Sequence, residues 1–297
     1  MASKIAFIGL GNMGLPMAIN LVKAGYPVSG FDIVPAAREA ASKAGISIPA
    51  NTNDAVADAD IVISMLPNGK LVLELYKSGI LQTAKPGTLF IDSSTIDVAS
   101  ARTAHELAQQ AGMTSLDAPV SGGVGGAAAG TLTFMAGGTQ AAFARAKPVL
   151  EAMGKKIVHC GEAGAGQAAK ICNNMILGIS MIAVGEAFVL GEKLGLSHQA
   201  LFDVASTSSG QCWSLNTYCP VPGPVPTSPA NNDYKPGFAA NLMLKDLLLS
   251  QDAAASAGAA TALGRHAADL YQTFVDAGRG GDDFSGIIEA IRNTAKF

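Results

Sequence analysis

KIAFIGLGNMG, residues 4–14, decides the fold of this 297-residue chain. KIAFI is an apolar run of strand length without polar alternation, and it leads straight into G-x-G-x-x-G at Gly9, Gly11 and Gly14. MGLPMAINLVKAG (13–25) follows with helical periodicity and a closing glycine, and a second strand, PVSGFD (27–32), ends in Asp32. Every element of the segment has a physical reason to be there. Gly9 permits the tight turn, Gly11 lets backbone approach a pyrophosphate, and Gly14 lets helix and strand pack closely. Around Asn12 and Met13 the free N–H groups of a helix start would bind the phosphates. Asp32, 18 residues past Gly14, is placed to accept hydrogen bonds from both hydroxyls of an adenosine ribose. The segment reads as a dinucleotide-binding unit. A carboxylate there repels a 2′-phosphate, Ile33, Val34 and Pro35 offer no arginine, and Arg38 reads as a solvated helix residue, so NAD is expected over NADP. A methyltransferase can use a similar glycine-rich turn, but it would leave the second half of the chain unexplained.

Outward from this segment, short apolar runs alternate with helix-like stretches: DIVISML (60–66), TLFID (88–92), TSLDAP (114–119), TLTFMAG (131–137) and KIVHC (156–160). The spacing is that of βα repeats, and runs without polar alternation suit parallel strands covered on both faces. From Ala168 the pattern becomes helical throughout. AAKICNNMILGISMIAVGEAFVLGEKLG (168–195) is apolar nearly all round, as a long central helix enclosed by protein would be. The expected architecture is an α/β N-terminal domain with a doubly wound, mostly parallel sheet (1–163) and an all-helical C-terminal domain (164–297). Residues 210–237 hold six prolines together with Trp213, Tyr218 and Tyr234. They are read as an ordered loop covering a site.

Composition excludes several classes. Charged residues make up 14% of the chain where about 25% is usual. With 49% apolar residues the chain is not disordered, and a net charge of −3 offers no basic excess for nucleic acid or an anionic membrane. The longest uncharged apolar run, Met175 to Gly185, stops at Glu186 after 11 residues, which argues for a buried helix and no membrane span. The four cysteines lack CxxC spacing and read as free thiols in a reducing cytoplasm. The four histidines are too scattered for a metal site. An apolar second half this large points to a homo-oligomer, a dimer or tetramer.

Three further stretches carry chemistry. In GAGQAAKICNN, Lys170 and Asn174 are spaced i, i+4 and share one helix face. They are either a snorkelling lysine and a packing asparagine, or a buried ammonium able to take and return an alcohol proton beside an amide. In DAPVSGGVGGAAAG (117–130), Ser121, Gly122 and Gly123 offer bare amides and a hydroxyl to a carboxylate. In LMLKDLLL (242–249), Lys245 and Asp246 interrupt an apolar helix and are expected to face a cleft.

GLGNMG with Asp32, MLP (65–67), SST (93–95), DAPVSGG, GAGQAAKICNN and LMLKD occur in order over essentially the whole chain, which resembles the β-hydroxyacid dehydrogenases. SSGQCWSLNTYCPVPG and ANNDYKPGFAANLMLKD point to the branch that oxidises 3-hydroxyisobutyrate. The resemblance implies a Rossmann domain, a helical domain, a long interdomain helix and an active site in the cleft between them. It assigns Lys170 as acid/base, Asn174 as holding substrate or lysine, and Ser121 to Gly123 as carboxylate donors. It also places Leu66, Pro67 and Thr95 on the nicotinamide side, Lys245 near cofactor or substrate with Asp246 beside it, and Trp213, Tyr218 and Phe238 at the pocket wall. The implied reaction is NAD-dependent oxidation of a small β-hydroxy acid to its semialdehyde. 3-Hydroxyisobutyrate comes first, with L-serine and, in the reducing direction, tartronate semialdehyde as alternatives. A catalytically silent NAD-binding sensor is the alternative of a different class. Where the family loop carries arginine before the CW pair, this chain has Gln211, which removes a fixed positive charge that would repel an ammonium.

Overall fold

Strands β1 (Ile5–Ile8), β2 (Val28–Phe31), β3 (Ile61–Ser64), β4 (Leu89–Asp92) and β5 (Thr114–Asp117) run parallel in the spatial order β2-β1-β3-β4-β5. These strands belong to a computed structural model that describes residues 2–293. Because successive side chains point to opposite faces, Ile5, Phe7, Ile61, Ile63, Leu89 and Ile91 enter one core with Met17 and Leu21 of the helix Gly14–Lys23. Ala6, Ile8, Val62 and Phe90 enter the other with Val72, Tyr76 and Ile80. Burial on both faces is why these strands show no polar alternation in sequence.

The sheet is mostly rather than wholly parallel. β7 (Leu132–Gly137) pairs antiparallel with both β5 and the short β6 (Val120–Ser121), and β8 (Gly154–Gly161) pairs parallel with β7. β6 has no counterpart among the strands expected from sequence, since two residues carry no periodicity. The chain leaves β1 to form β2 on one side and returns to form β3 on the other, so the order reverses at β1. Outside the carboxyl ends of strands at such a reversal lies the crevice where open α/β sheets bind ligands.

The chain divides into two compact units, one ending at Lys170 and the other beginning at Ile171. Both share the long helix Ala165–Lys193. This helix is long and apolar enough to cross a bilayer, with a mean hydropathy of 1.7 over its most apolar stretch, half of which is buried inside the protein. The 11-residue run counted from sequence understates it, because the helix continues through Glu186 without a break. In the second unit Met181 and Ile182 pack with Met243, Leu247, Tyr271 and Phe274 of the helices Ala240–Ala257 and Ala262–Phe274. Val184, Phe188 and Val189 pack with Leu215, Val221 and Ile288.

The proline-rich stretch 210–237 is ordered and less irregular than its composition suggests. It contains the helix Trp213–Asn216, which lies ahead of the first proline, Pro220, and the 3-10 turn Pro229–Asn232, which starts on a proline. Its end is tied down by Asp283, whose buried Oδ2 accepts hydrogen bonds from the Tyr218 hydroxyl and the amides of Gly237 and Phe238. Oδ1 of the same carboxylate accepts from the amide and hydroxyl of Ser285. Asp283→Ala strands several of these donors in the interior and is expected to lower stability by about 3 kcal/mol or more, read from urea unfolding.

Candidate active site

The glycine-rich turn is shaped by its neighbours. Gly9 follows β1 at φ +96°, where a Cβ would lie 2.3 Å from the Met65 carbonyl oxygen of the turn after β3. At Gly14 a Cβ would lie 1.9 Å from the Gly9 carbonyl oxygen. A Cβ at Gly11 meets nothing within 4 Å, so what that glycine preserves is open space above the turn. No side chain caps the helix that begins at Gly14, and Asn12 and Met13 precede it. Open backbone leading into an uncapped helix start fits a pyrophosphate.

Asp32, just past β2, does two things at once. Its Oδ2 accepts from the Leu10 amide at 2.7 Å and its Oδ1 from the Val34 amide at 2.8 Å. Each oxygen keeps a lone pair for a ribose hydroxyl, and the turn is pinned to the end of β2. Arg38 departs from the sequence reading: its guanidinium donates to the Asp32 carbonyl at 2.6 Å and lies over the Phe31 ring at 5.5 Å, so it is folded back onto the strand end.

The turns after β3 and β4 are knitted together. The Leu66 amide donates to the Ser94 hydroxyl oxygen at 2.8 Å, and that hydroxyl donates to Oδ1 of Asp92 at 2.6 Å. Pro67 beside it is exposed, and Thr95 is half-buried. Gln167, to which the sequence assigned no role, brackets Thr95. Its Nε2 donates to the Ser94 carbonyl at 2.7 Å and its Oε1 accepts from the Ile96 amide at 3.1 Å. Asp117 likewise went unassigned, and it accepts from the amides of Gly164 and Gln167 at the start of the long helix. The usable signal was a glutamine in the first turn of an apolar helix, which needs partners once buried. Ser121 ends β6, and Gly122 and Gly123 lead into the helix Gly123–Ala129.

One turn beyond Gln167, Lys170 is 7% exposed and so withdrawn from bulk solvent. In the second unit Asn174 is 2% exposed, donates from Nδ2 to Oδ2 of Asp246 and accepts at Oδ1 from Asn173. Lys245 Nζ lies 3.4 Å from Oδ1 of the same aspartate. Asp246 is buried while Lys245 is one-third exposed, so the two charges differ in their access to water. Trp213, half exposed, stacks on Tyr218 at 4.8 Å, and Tyr218 and Phe238 both meet Phe284. Burial, then the neighbouring Asp283, pushes the Tyr218 hydroxyl far above the ordinary tyrosine range. Among the described residues no group of histidine, cysteine and carboxylate side chains could hold a metal ion.

The model of the NAD binding domain of 6-phosphogluconate dehydrogenase matches residues 4–161, and the model described as NAD-binding of NADP-dependent 3-hydroxyisobutyrate dehydrogenase matches residues 164–291. The chain belongs to the β-hydroxyacid dehydrogenase family. The human mitochondrial 3-hydroxyisobutyrate dehydrogenase is 45% identical, with 99% of this chain and 88% of that protein covered. The NAD-dependent L-serine dehydrogenase of Pseudomonas aeruginosa is 48% identical over 95% of both chains. A solved structure of the Mycobacterium tuberculosis 3-hydroxyisobutyrate dehydrogenase with L-serine superposes with a TM-score of 0.95 at 57% identity, covering 98% of this chain and 100% of that one. This dehydrogenase is an NAD-dependent enzyme acting on a small hydroxy acid.

The glycine geometry separates binding from folding. Gly11→Ala is expected to shift stability by no more than about 0.5 kcal/mol while weakening NAD binding, because its added methyl points into open space. Gly14→Ala drives a methyl into backbone and lowers the thermal midpoint itself. Calorimetric binding and thermal melts of the two variants check the contrast.

Proposed function

We propose that the dehydrogenase oxidises 3-hydroxyisobutyrate to its semialdehyde, with Lys170 as the group that takes the hydroxyl proton. In this reading residues 1–163 bind the dinucleotide through Gly9, Gly11, Asn12, Met13, Gly14 and Asp32. Leu66, Pro67 and Thr95 line the nicotinamide side, and residues 164–297 supply substrate contacts and oligomer surface. Ser121, Gly122 and Gly123 donate hydrogen bonds to the substrate carboxylate. Bound NAD supplies the hydride acceptor. As the Lys170 amine takes the hydroxyl proton, the substrate carbon gives up its hydrogen with both electrons and the C–O bond becomes a carbonyl. The chain contributes position and charge; the observation that carries the reading is the withdrawal of the Lys170 ammonium into the protein on the apolar helix Ala165–Lys193. A silent NAD-binding sensor has no use for such a group.

The α-carbon of the substrate carries a methyl in 3-hydroxyisobutyrate and an ammonium in L-serine. Two groups of the second unit could receive an ammonium: the Asp246 carboxylate, whose buried Oδ1 accepts no hydrogen bond among the described residues, and the Tyr218 hydroxyl oxygen. Asp246 is bonded to Asn174 and lies beside Lys245, and the Tyr218 hydroxyl donates to Asp283. The Lys245 ammonium already faces the Asp246 carboxylate and opposes a second cation there, which supports the methyl-bearing substrate. L-serine stands second, favoured by Gln211 in place of a cation and by the names of the relatives given above. Exposed Ile176, Leu190, Leu194 and Leu263 support a homo-oligomer, which light scattering would read as a multiple of the chain mass.

Lys170→Ala is expected to lower kcat by about 10²- to 10⁴-fold with the fold intact by circular dichroism. Turnover within about tenfold of the parent would overturn the assignment. A panel of 3-hydroxyisobutyrate, L-serine and tartronate semialdehyde, followed at the nicotinamide absorbance band, is expected to give the highest kcat/KM with 3-hydroxyisobutyrate. A higher value with L-serine would reverse the preference, and silence with every substrate would favour the sensor.

A further inference from the structure

Asp92 closes β4, and its carboxylate is 3% exposed. Among the described residues its hydrogen bonds converge on one oxygen. Oδ1 accepts from the Ser64 hydroxyl at 2.7 Å, from the Ser94 hydroxyl at 2.6 Å and from the Ser94 amide at 3.4 Å, while buried Oδ2 has no hydrogen-bond partner among the described residues. Ser64 ends β3 and Ser94 follows β4, so one carboxylate oxygen clasps the ends of two adjacent strands. Because the Ser94 hydroxyl gives its proton to Asp92, its lone pair faces the Leu66 amide at 2.8 Å. The Leu66 amide can only donate, so Ser94 is the acceptor in that bond in any case; what Asp92 fixes is where the single hydroxyl proton of Ser94 points, which keeps a lone pair turned toward Leu66.

We propose that Asp92 is a positioning residue for cofactor binding, holding the Leu66–Pro67 turn in place through the Ser94 hydroxyl. The proposal rests on the reading above that this turn lines the nicotinamide. The clasp supports no other part of the dinucleotide site as directly: Asp32 and the glycine turn are tied to each other by the Leu10 amide, without Asp92. Asp92 therefore acts on the nicotinamide end of the cofactor and leaves the adenosine end alone.

The surroundings also make the clasp sensitive to protons. Burial pushes Asp92 up to about 6, against the opposing pull of the Ser94 and Ser64 hydrogen bonds. The other ionisable groups around it are Asp117, its register partner on β5, with His105 bonded to Asp117, and the buried Tyr76. All four side chains line a cavity of about 10 Å³. Asp117 adds to the upward push. As pH falls through about 6 the carboxylate takes up a proton, its oxygen becomes a weaker acceptor for Ser94, and the turn loosens.

The test compares NADH with ADP-ribose, which has the adenosine and pyrophosphate but no nicotinamide, on the full-length chain. NADH is titrated by its fluorescence and ADP-ribose by calorimetry. Asp92→Asn and Ser94→Ala are each expected to raise the NADH Kd by about fivefold or more, the scale of one lost hydrogen bond, with ADP-ribose unchanged within about twofold. The double variant is expected to be no weaker than Ser94→Ala alone, because Asp92 works through that hydroxyl. In the unmutated enzyme NADH affinity falls below about pH 6 while ADP-ribose affinity stays level, and this arm requires no variant to fold. Equal weakening of both ligands, multiplying effects in the double variant, or a level NADH profile down to pH 5 would each overturn the proposal. Leu66→Ala tells its failure from that of the underlying reading. If Leu66→Ala affects NADH selectively and Asp92→Asn does not, Asp92 has no positioning role. If Leu66→Ala also leaves NADH untouched, the turn is not the nicotinamide wall and the functional reading fails with it.

Discussion

Where the long helix starts is fixed by one buried carboxylate. Asp117, at the carboxyl end of β5, accepts from the amides of Gly164 and Gln167 and from Nε2 of His105, whose other ring nitrogen is held by Ser115. At Gly166 a Cβ would lie 2.2 Å from the Met135 carbonyl oxygen, so the first turn of the helix is pressed against the strand backbone and cannot slide along it. Orphan amides at a helix start need acceptors, and here the sheet provides them. Everything the first unit presents on that helix, including Gln167 and Lys170, inherits its position from this attachment.

Polar groups inside the first unit are therefore arranged as linked pairs and not as isolated contacts. Gln167 grips the chain on both sides of Thr95, Ser94 connects Leu66 to Asp92, and Asp32 connects the glycine turn to β2. In a chain with few charges, the buried carboxylates Asp92 and Asp117 organise backbone. The second unit follows the same economy: Asp283 gathers the end of the proline-rich stretch and Asp246 steadies Asn174.

Legibility followed the range of the interaction. The alternation of parallel strands and helices, the glycine turn and Asp32 were readable because each is a local pattern with a fixed spacing, and the all-helical second half was readable from periodicity alone. β6 was invisible because its two residues are a strand only by pairing with β7. The roles of Gln167, Asp117 and Asp92 were hidden for a different reason: their partners lie 71, 50 and 28 positions away, at Ile96, Gln167 and Ser64. Arg38 was misread as solvated because nothing in a helical pattern signals that a side chain turns back to a carbonyl six residues earlier. Lys170 and Asn174 were found by spacing, but the hold of Asp246 on Asn174 spans 72 residues and needed coordinates.

The strand order has a consequence for biosynthesis. β1 leaves the ribosome before either of its neighbours, yet it belongs to the interior of the sheet, flanked by β2 on one side and β3 on the other. Its second edge stays unsatisfied until Ser64 has emerged, and an exposed apolar edge is a template for pairing with other chains. Between the emergence of β2 and that of β3 the nascent enzyme therefore carries a sticky strand edge, and shielding it is a demand its folding makes on the cell.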